Sequence, residues 1–94
     1  MKLVGREVLE QFCVASPDCR RWMGAWIVDV QGSTWRTPQD IKARYSTVSF
    51  LPDNVVIFNV RGNNYRLAVR IAYGVQVVLI QWIGTHAEYD KKYC

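Results

Sequence analysis

Apolar residues recur at helical spacing through the first half of the chain and nearly alternate through the second, and the two regimes meet just beyond Tyr45. Met1 to Gly5 predicts a short strand ended by its glycine. Val8, Leu9 and Phe12 then share one face of a helix predicted over Arg6 to Val14. Ser16, Pro17 and Asp18 make a start signal: Ser16 as N-cap, Pro17 at a position that needs no amide hydrogen, and Asp18 at the positive end of the dipole. The helix they open is expected to reach about Val30 and stop at Gly32. Trp22, Trp26 and Val30 form its buried stripe, with Ala25 at a close-approach position. Thr37, Pro38 and Asp40 repeat the grammar and predict a third helix from Pro38 to about Arg44, with Trp35 packing back on the second helix.

From Val55 the pattern changes to strands at 55–60, 65–73 and 75–83, separated by turns at Gly62-Asn63-Asn64 and Gly74. Residues 65–73 alternate most clearly. Tyr65, Leu67, Val69 and Ile71 fall on one face and Arg66, Ala68, Arg70 and Ala72 on the other. The expected architecture is α+β, N-terminal helices packed on an antiparallel β-sheet whose opposite face is cationic.

Composition narrows the class. Residues 1–94 suffice for one domain, and a chain 50% hydrophobic and 21% charged is expected to fold. Eight Arg against four Lys, within a net charge of +4, favour bidentate contact with phosphates or carboxylates. Cys13, Cys19 and Cys94 are odd in number and lack a C-x2-C pair, and His86 is the single histidine. Neither a disulfide framework nor a metal site is suggested. The N-terminus has no signal-peptide core and no stretch has membrane-spanning length, so a soluble, cytoplasmic protein is expected.

Candidate chemistry gathers in two places. Arg66 and Arg70 project from one strand face, roughly 13 Å apart along the strand, with Arg61 on the preceding turn. They suit phosphate recognition by guanidinium forks, and equally a solvated, edge-protecting strand face. The run from Gly84 to Lys92 adds His86, Glu88, Tyr89, Lys91 and Lys92 directly after an apolar strand. Beside an arginine face these groups make a kit for RNA cleavage: a base for the 2′-hydroxyl proton, a cation for the phosphate oxygens and an acid for the departing 5′ oxygen. They also suit a polar tail. Phe58 and Trp82 offer stacking surface, and Walker, Rossmann, EF-hand and H-E-x-x-H patterns are absent.

The segments Trp35-Arg36-Thr37-Pro38, Val56 to Val60 leading into Gly62-Asn63-Asn64-Tyr65-Arg66-Leu67, and Trp82 to Asp90 resemble the HigB-type toxins of type II toxin-antitoxin modules, within the RelE-like mRNA interferases. The resemblance implies a compact RelE-like toxin that enters the translating ribosome and cuts mRNA without a metal or other cofactor. It implies a HigA-type helix-turn-helix antitoxin, through which operator DNA is bound, and no membrane. It assigns phosphate handling to Arg66 and the late catalytic positions to His86 and Tyr89, with Lys91 or Lys92 as further RNA-contacting members; on this reading Glu88 tunes His86 or acts as base, or merely pairs with Lys91 or Lys92. Asn64 stands where relatives often carry Lys, and Arg61 or Arg70 is expected to compensate. Two other classes fit the composition: a basic RNA- or ribosome-binding inhibitor that does not cut, and a purely structural partner subunit.

Overall fold

The computed structural model describes residues 1–93, so Cys94 lies outside the described residues. The elements are β1 (Lys2–Val4), α1 (Arg6–Ala15), a 3₁₀ turn (Pro17–Cys19), α2 (Arg20–Gln31), α3 (Pro38–Arg44), β2 (Ser49–Leu51), β3 (Val55–Val60), β4 (Tyr65–Ala72), β5 (Val77–Thr85) and α4 (His86–Tyr93). The described strands form a sheet ordered β1-β5-β4-β3-β2. β1 runs parallel to β5, and the other neighbours are antiparallel. The α+β expectation and the meander are therefore met. β2 and α4 are additions.

Local sequence accounts for most boundaries. Gly5 turns the chain from β1 into α1 at φ 92°, and a Cβ there would lie 3.1 Å from that of Ile80. Thr37 and Asp40 form the expected capping box: the Asp40 N–H donates to Thr37 Oγ1, and Asp40 Oδ2 accepts from the Thr37 N–H. Ser16 departs from expectation. Its side chain caps nothing; its carbonyl accepts from the Cys19 N–H, closing a 3₁₀ turn, and α2 begins only at Arg20. The reason is the short connection, since α1 runs to Ala15 and leaves one residue in which to reverse. Within α2 the buried stripe is Met23, Trp26, Ile27 and Val30, with Trp22 half-buried. Ala25 faces solvent rather than a neighbour.

The core lies between the helices and the sheet face carrying Leu67, Val69 and Ile71, with Phe58 at its centre. The Phe58 ring meets Trp26 at 5.4 Å and Tyr45 at 5.2 Å edge-on, and Trp35 stacks on it at 6.3 Å. Phe58 is thus core, not the stacking surface its sequence context suggested. Cys13 and Cys19 are free and buried, their Sγ atoms 3.0 Å apart, and burial together with Cys13 pushes the Cys19 thiol up to about 12.

One irregularity decides what the far face displays. Ala68 pairs with Trp82 but Val69 with Ile80, so Gln81 is the extra residue of a β-bulge. Ile80 and Trp82 would share a face in a regular strand. The bulge sends Ile80 into the core and Trp82 to the opposite side.

Candidate functional site

The far face is laid out by strand register. Asn59, Arg66 and Gly84 form one row, Ile57, Ala68 and Trp82 the next, and Val55, Arg70 and Leu79 a third. Arginines at this spacing predicted an open cationic face, but α4 folds back across part of it. Tyr89 and Tyr93, one helical turn apart, meet Trp82 at 6.4 and 6.0 Å, and stack on each other at 5.1 Å. Ile57 and Ala68, beside Trp82 in register, are buried although the core helices pack on the other side. The far face therefore has its own small aromatic cluster, with Arg66 half-buried at one margin and Arg70 exposed.

Arg66 is positioned by backbone and ring. One guanidinium nitrogen donates to the Tyr65 carbonyl at 3.3 Å, and Cζ lies 6.0 Å from the Tyr89 ring centroid. Among the described residues no carboxylate is within ion-pair distance of it. Opposite it, Gly84 contributes no side chain. Most of the guanidinium fork is left for an anion to approach.

Thr85 and Glu88 start α4 as a reciprocal capping box. The Thr85 N–H donates to Glu88 Oε1 at 2.8 Å, and the Glu88 N–H donates to Thr85 Oγ1 at 3.2 Å. These bonds, the one from the Thr85 N–H first, hold the Glu88 carboxyl below its ordinary value. A lowered carboxyl value means stabilisation that is present above the ordinary value of 4.5 and lost as pH falls through the folded one. Acidification below that range is expected to loosen α4 before the sheet, and Glu88→Gln is expected to remove the pH dependence; backbone amide NMR of residues 85–93 against β4 is the check.

His86 is the first residue of α4. Its N–H donates to the Asn64 carbonyl at 3.4 Å, tying the helix to the β3–β4 turn, and its Nδ1 lies 3.2 Å from Asp90 Oδ2 on a half-exposed surface. Lys92 Nζ stands 5.8 Å from the Tyr93 ring, and exposed Lys91 lies near enough to Glu88 to favour its ionised form. Arg61 goes elsewhere. It pairs with Asp18 at 2.9 Å, and Asp18 also accepts from the Tyr65 hydroxyl at 2.9 Å, so Arg61 is drawn toward the helical side.

The structure thus gathers Arg66, His86, Glu88, Tyr89 and the backbone of Asn64 at one end of the sheet, with Lys91 and Lys92 on the same helix. It leaves Arg70 two rows away on the same face and Arg61 outside. Sequence reasoning passed over Tyr93 and gave no role of their own to Gly84 and Thr85, which it read only as part of the run to Lys92. The T-x-x-E spacing with Glu88 was the signal for Thr85. No group of three or more His, Cys, Asp or Glu side chains among the described residues is placed to hold a metal ion. None of the described helices is long and apolar enough to cross a membrane.

The fold and the site define a small basic α+β protein that carries, on one sheet face, an arginine without an ion-pair partner among the described residues at the margin of an aromatic cluster. The chain is a member of the HigB toxin family, the RelE-like toxic component of a toxin-antitoxin system, whose family model matches residues 19–92. The match runs from Cys19, at the end of the 3₁₀ turn, into α4, and takes in all three segments that carried the resemblance. Membership implies an antitoxin partner. No curated protein matches the chain.

Proposed function

We propose that this toxin is a ribosome-dependent endoribonuclease that cuts translated mRNA without a metal ion and is neutralised by a HigA-type antitoxin. The observation that carries the reading is the Arg66 guanidinium, without a carboxylate among the described residues, beside the Tyr89 ring on the helix that starts at His86. Arg66 holds the scissile phosphate and stabilises the charge that builds as the 2′ oxygen bonds to phosphorus and the bond to the 5′ oxygen breaks. Tyr89 orients the reacting nucleotide. His86, its Nδ1 held 3.2 Å from Asp90 Oδ2, transfers protons through Nε2. Glu88 acts through the cap that fixes His86 and Tyr89, while Lys91, Lys92 and Arg70 take flanking phosphates. Asn64 contributes its backbone tie to His86 in place of a cationic side chain, and Arg61 adds general attraction from the helical side.

Mapping 5′ ends on a defined message in a reconstituted translation system, with and without ribosomes, tests the reading. Cuts on translated message alone support it; stalled but intact message would make the protein an occupancy inhibitor. In the same assay His86→Gln is expected to fold normally and cut about 10²-fold more slowly. Full activity would remove His86 from the proton transfers.

A further inference from the structure

Three hollows outside the Arg66 face share one wall, the side chain of Trp22. The first, about 460 Å³, opens between Trp22, Arg44 and the turn residues Gly62 and Asn63. The second, about 500 Å³, lies between Trp22, Arg21, Arg61 and Asp18. The third, about 210 Å³, reaches down to Trp26, whose indole N–H is buried with no hydrogen-bond partner among the described residues. Trp22 lies nearly parallel to Trp26, at 13° and 6.5 Å between centroids. Asn59 links this groove to the site already described, since it stands directly across from Arg66 in the β3–β4 register and also lines the first hollow.

We propose that the groove is a second nucleotide subsite, in which Trp22 stacks on an unpaired base flanking the phosphate held at Arg66 while Arg21, Arg44 and Arg61 contact the backbone. The inference deepens the RNA reading above and rests on it. A flat indole with guanidinium groups on either side is the equipment of single-strand binding, where any base supplies a π face and each phosphate a charge. Arg21 has no carboxylate partner among the described residues; Arg44 pairs with Asp29 at 3.1 Å and Arg61 with Asp18 at 2.9 Å. Arg61 and Asp18 are both substantially exposed, and Arg44 is exposed although Asp29 is half-buried and also accepts from the Tyr45 hydroxyl. Such pairs are weak, and a five-donor fork can share a phosphate with its carboxylate. An acidic segment of the antitoxin would engage the arginines alone, whereas a nucleotide also brings a base ring to lay against the Trp22 indole that walls all three hollows.

The test uses the full chain and a short fluorescein-labelled single-stranded RNA, read by anisotropy at low and moderate salt, with thermal melts of every variant. Trp22→Leu is expected to weaken binding about tenfold and Trp22→Phe to recover most of it, while Arg21→Gln lowers the salt slope by about 0.7. On translated message, Trp22→Leu should raise the message concentration needed for half-maximal cutting and leave turnover within about twofold. A folded Trp22→Leu that binds and cuts like the parent overturns the subsite. So does one that cuts normally but escapes the antitoxin, which would give the groove to the partner. RNA binding lost with Trp22 in a parent that cuts nothing would uphold the subsite and sink the nuclease reading. Should Trp22→Leu not fold, an unchanged salt slope in Arg21→Gln overturns the proposal.

Discussion

Arg66→Ala is expected to slow cutting of translated message by about 10² to 10³-fold, the scale on which removing one preorganised transition-state donor acts, while the melting temperature stays near that of the parent. Catalysis and stability separate here because of how Arg66 is held. Its recorded contacts are one bond to the neighbouring Tyr65 carbonyl and the face of Tyr89; it closes no ion pair with a described carboxylate and fills no part of the main core. Its row contains Gly84 on one side and Asn59 on the other, so truncation opens no apolar cavity. Arg66→Lys is the informative companion. It keeps the charge but replaces a planar fork by a point, and should fall between the parent and the alanine variant. Primer extension across a defined stop-containing message, at equal toxin concentration, measures all three. Parent-like cutting by Arg66→Ala would detach this residue from phosphate chemistry and leave Arg70, exposed on the same strand face, as the cation to examine next.

What was legible in the chain follows how local each determinant is. The Thr37-Pro38-Asp40 start was readable because a capping box and an N-terminal proline act within one turn. Ser16-Pro17-Asp18 is a similar start with its acid one position nearer the cap, and it failed, because the end of α1 at Ala15 leaves no room for an α-helical start. β2, Ser49–Leu51, is too short to show a period and exists by pairing with β3. The face of Trp82 depended on a bulge, and strict alternation puts that residue on the wrong side.

The candidate site divides the same way. Arg66 was visible from strand alternation, and the residues after Gly84 from their unlike titratable groups. That those residues form a helix folded onto the sheet was written in Thr85 and Glu88, whose spacing is a capping signal as much as a pair of reactive groups. Reading Glu88 first as chemistry hid its structural work. Arg61 was placed correctly on its turn, but the direction of its side chain was not legible, because its partner Asp18 is 43 residues away and comes near only once β4 packs on the 3₁₀ turn.

The second large effect is expected from a single methyl group, in Gly84→Ala. A Cβ there would lie 2.5 and 2.7 Å from the outer ring carbons of Trp82 and 3.0 Å from Glu88 Oε1. An exposed side chain would swing aside, but Trp82 has the Tyr89 and Tyr93 rings against it and buried Ala68 beside it in register. Overpacking of this kind costs about 1–3 kcal/mol, and at this chain length each kcal/mol lowers the melting temperature by about 4–8 °C. Cutting should fall as well, because moving Trp82 disturbs the seat of Tyr89, and crowding the Glu88 carboxylate disturbs the cap on which His86 is set. Activity and melting temperature are thus expected to drop together here, whereas in Arg66→Ala only activity drops. The mechanism is checked by repeating Gly84→Ala in a Trp82→Ala background, where the clash has been removed beforehand and the added methyl should change the melt little. Equal losses in both backgrounds would place the strain in the backbone at Gly84 rather than in the indole above it, and α4 would then owe its position to its capping box and its tie to Asn64 more than to the aromatic cluster.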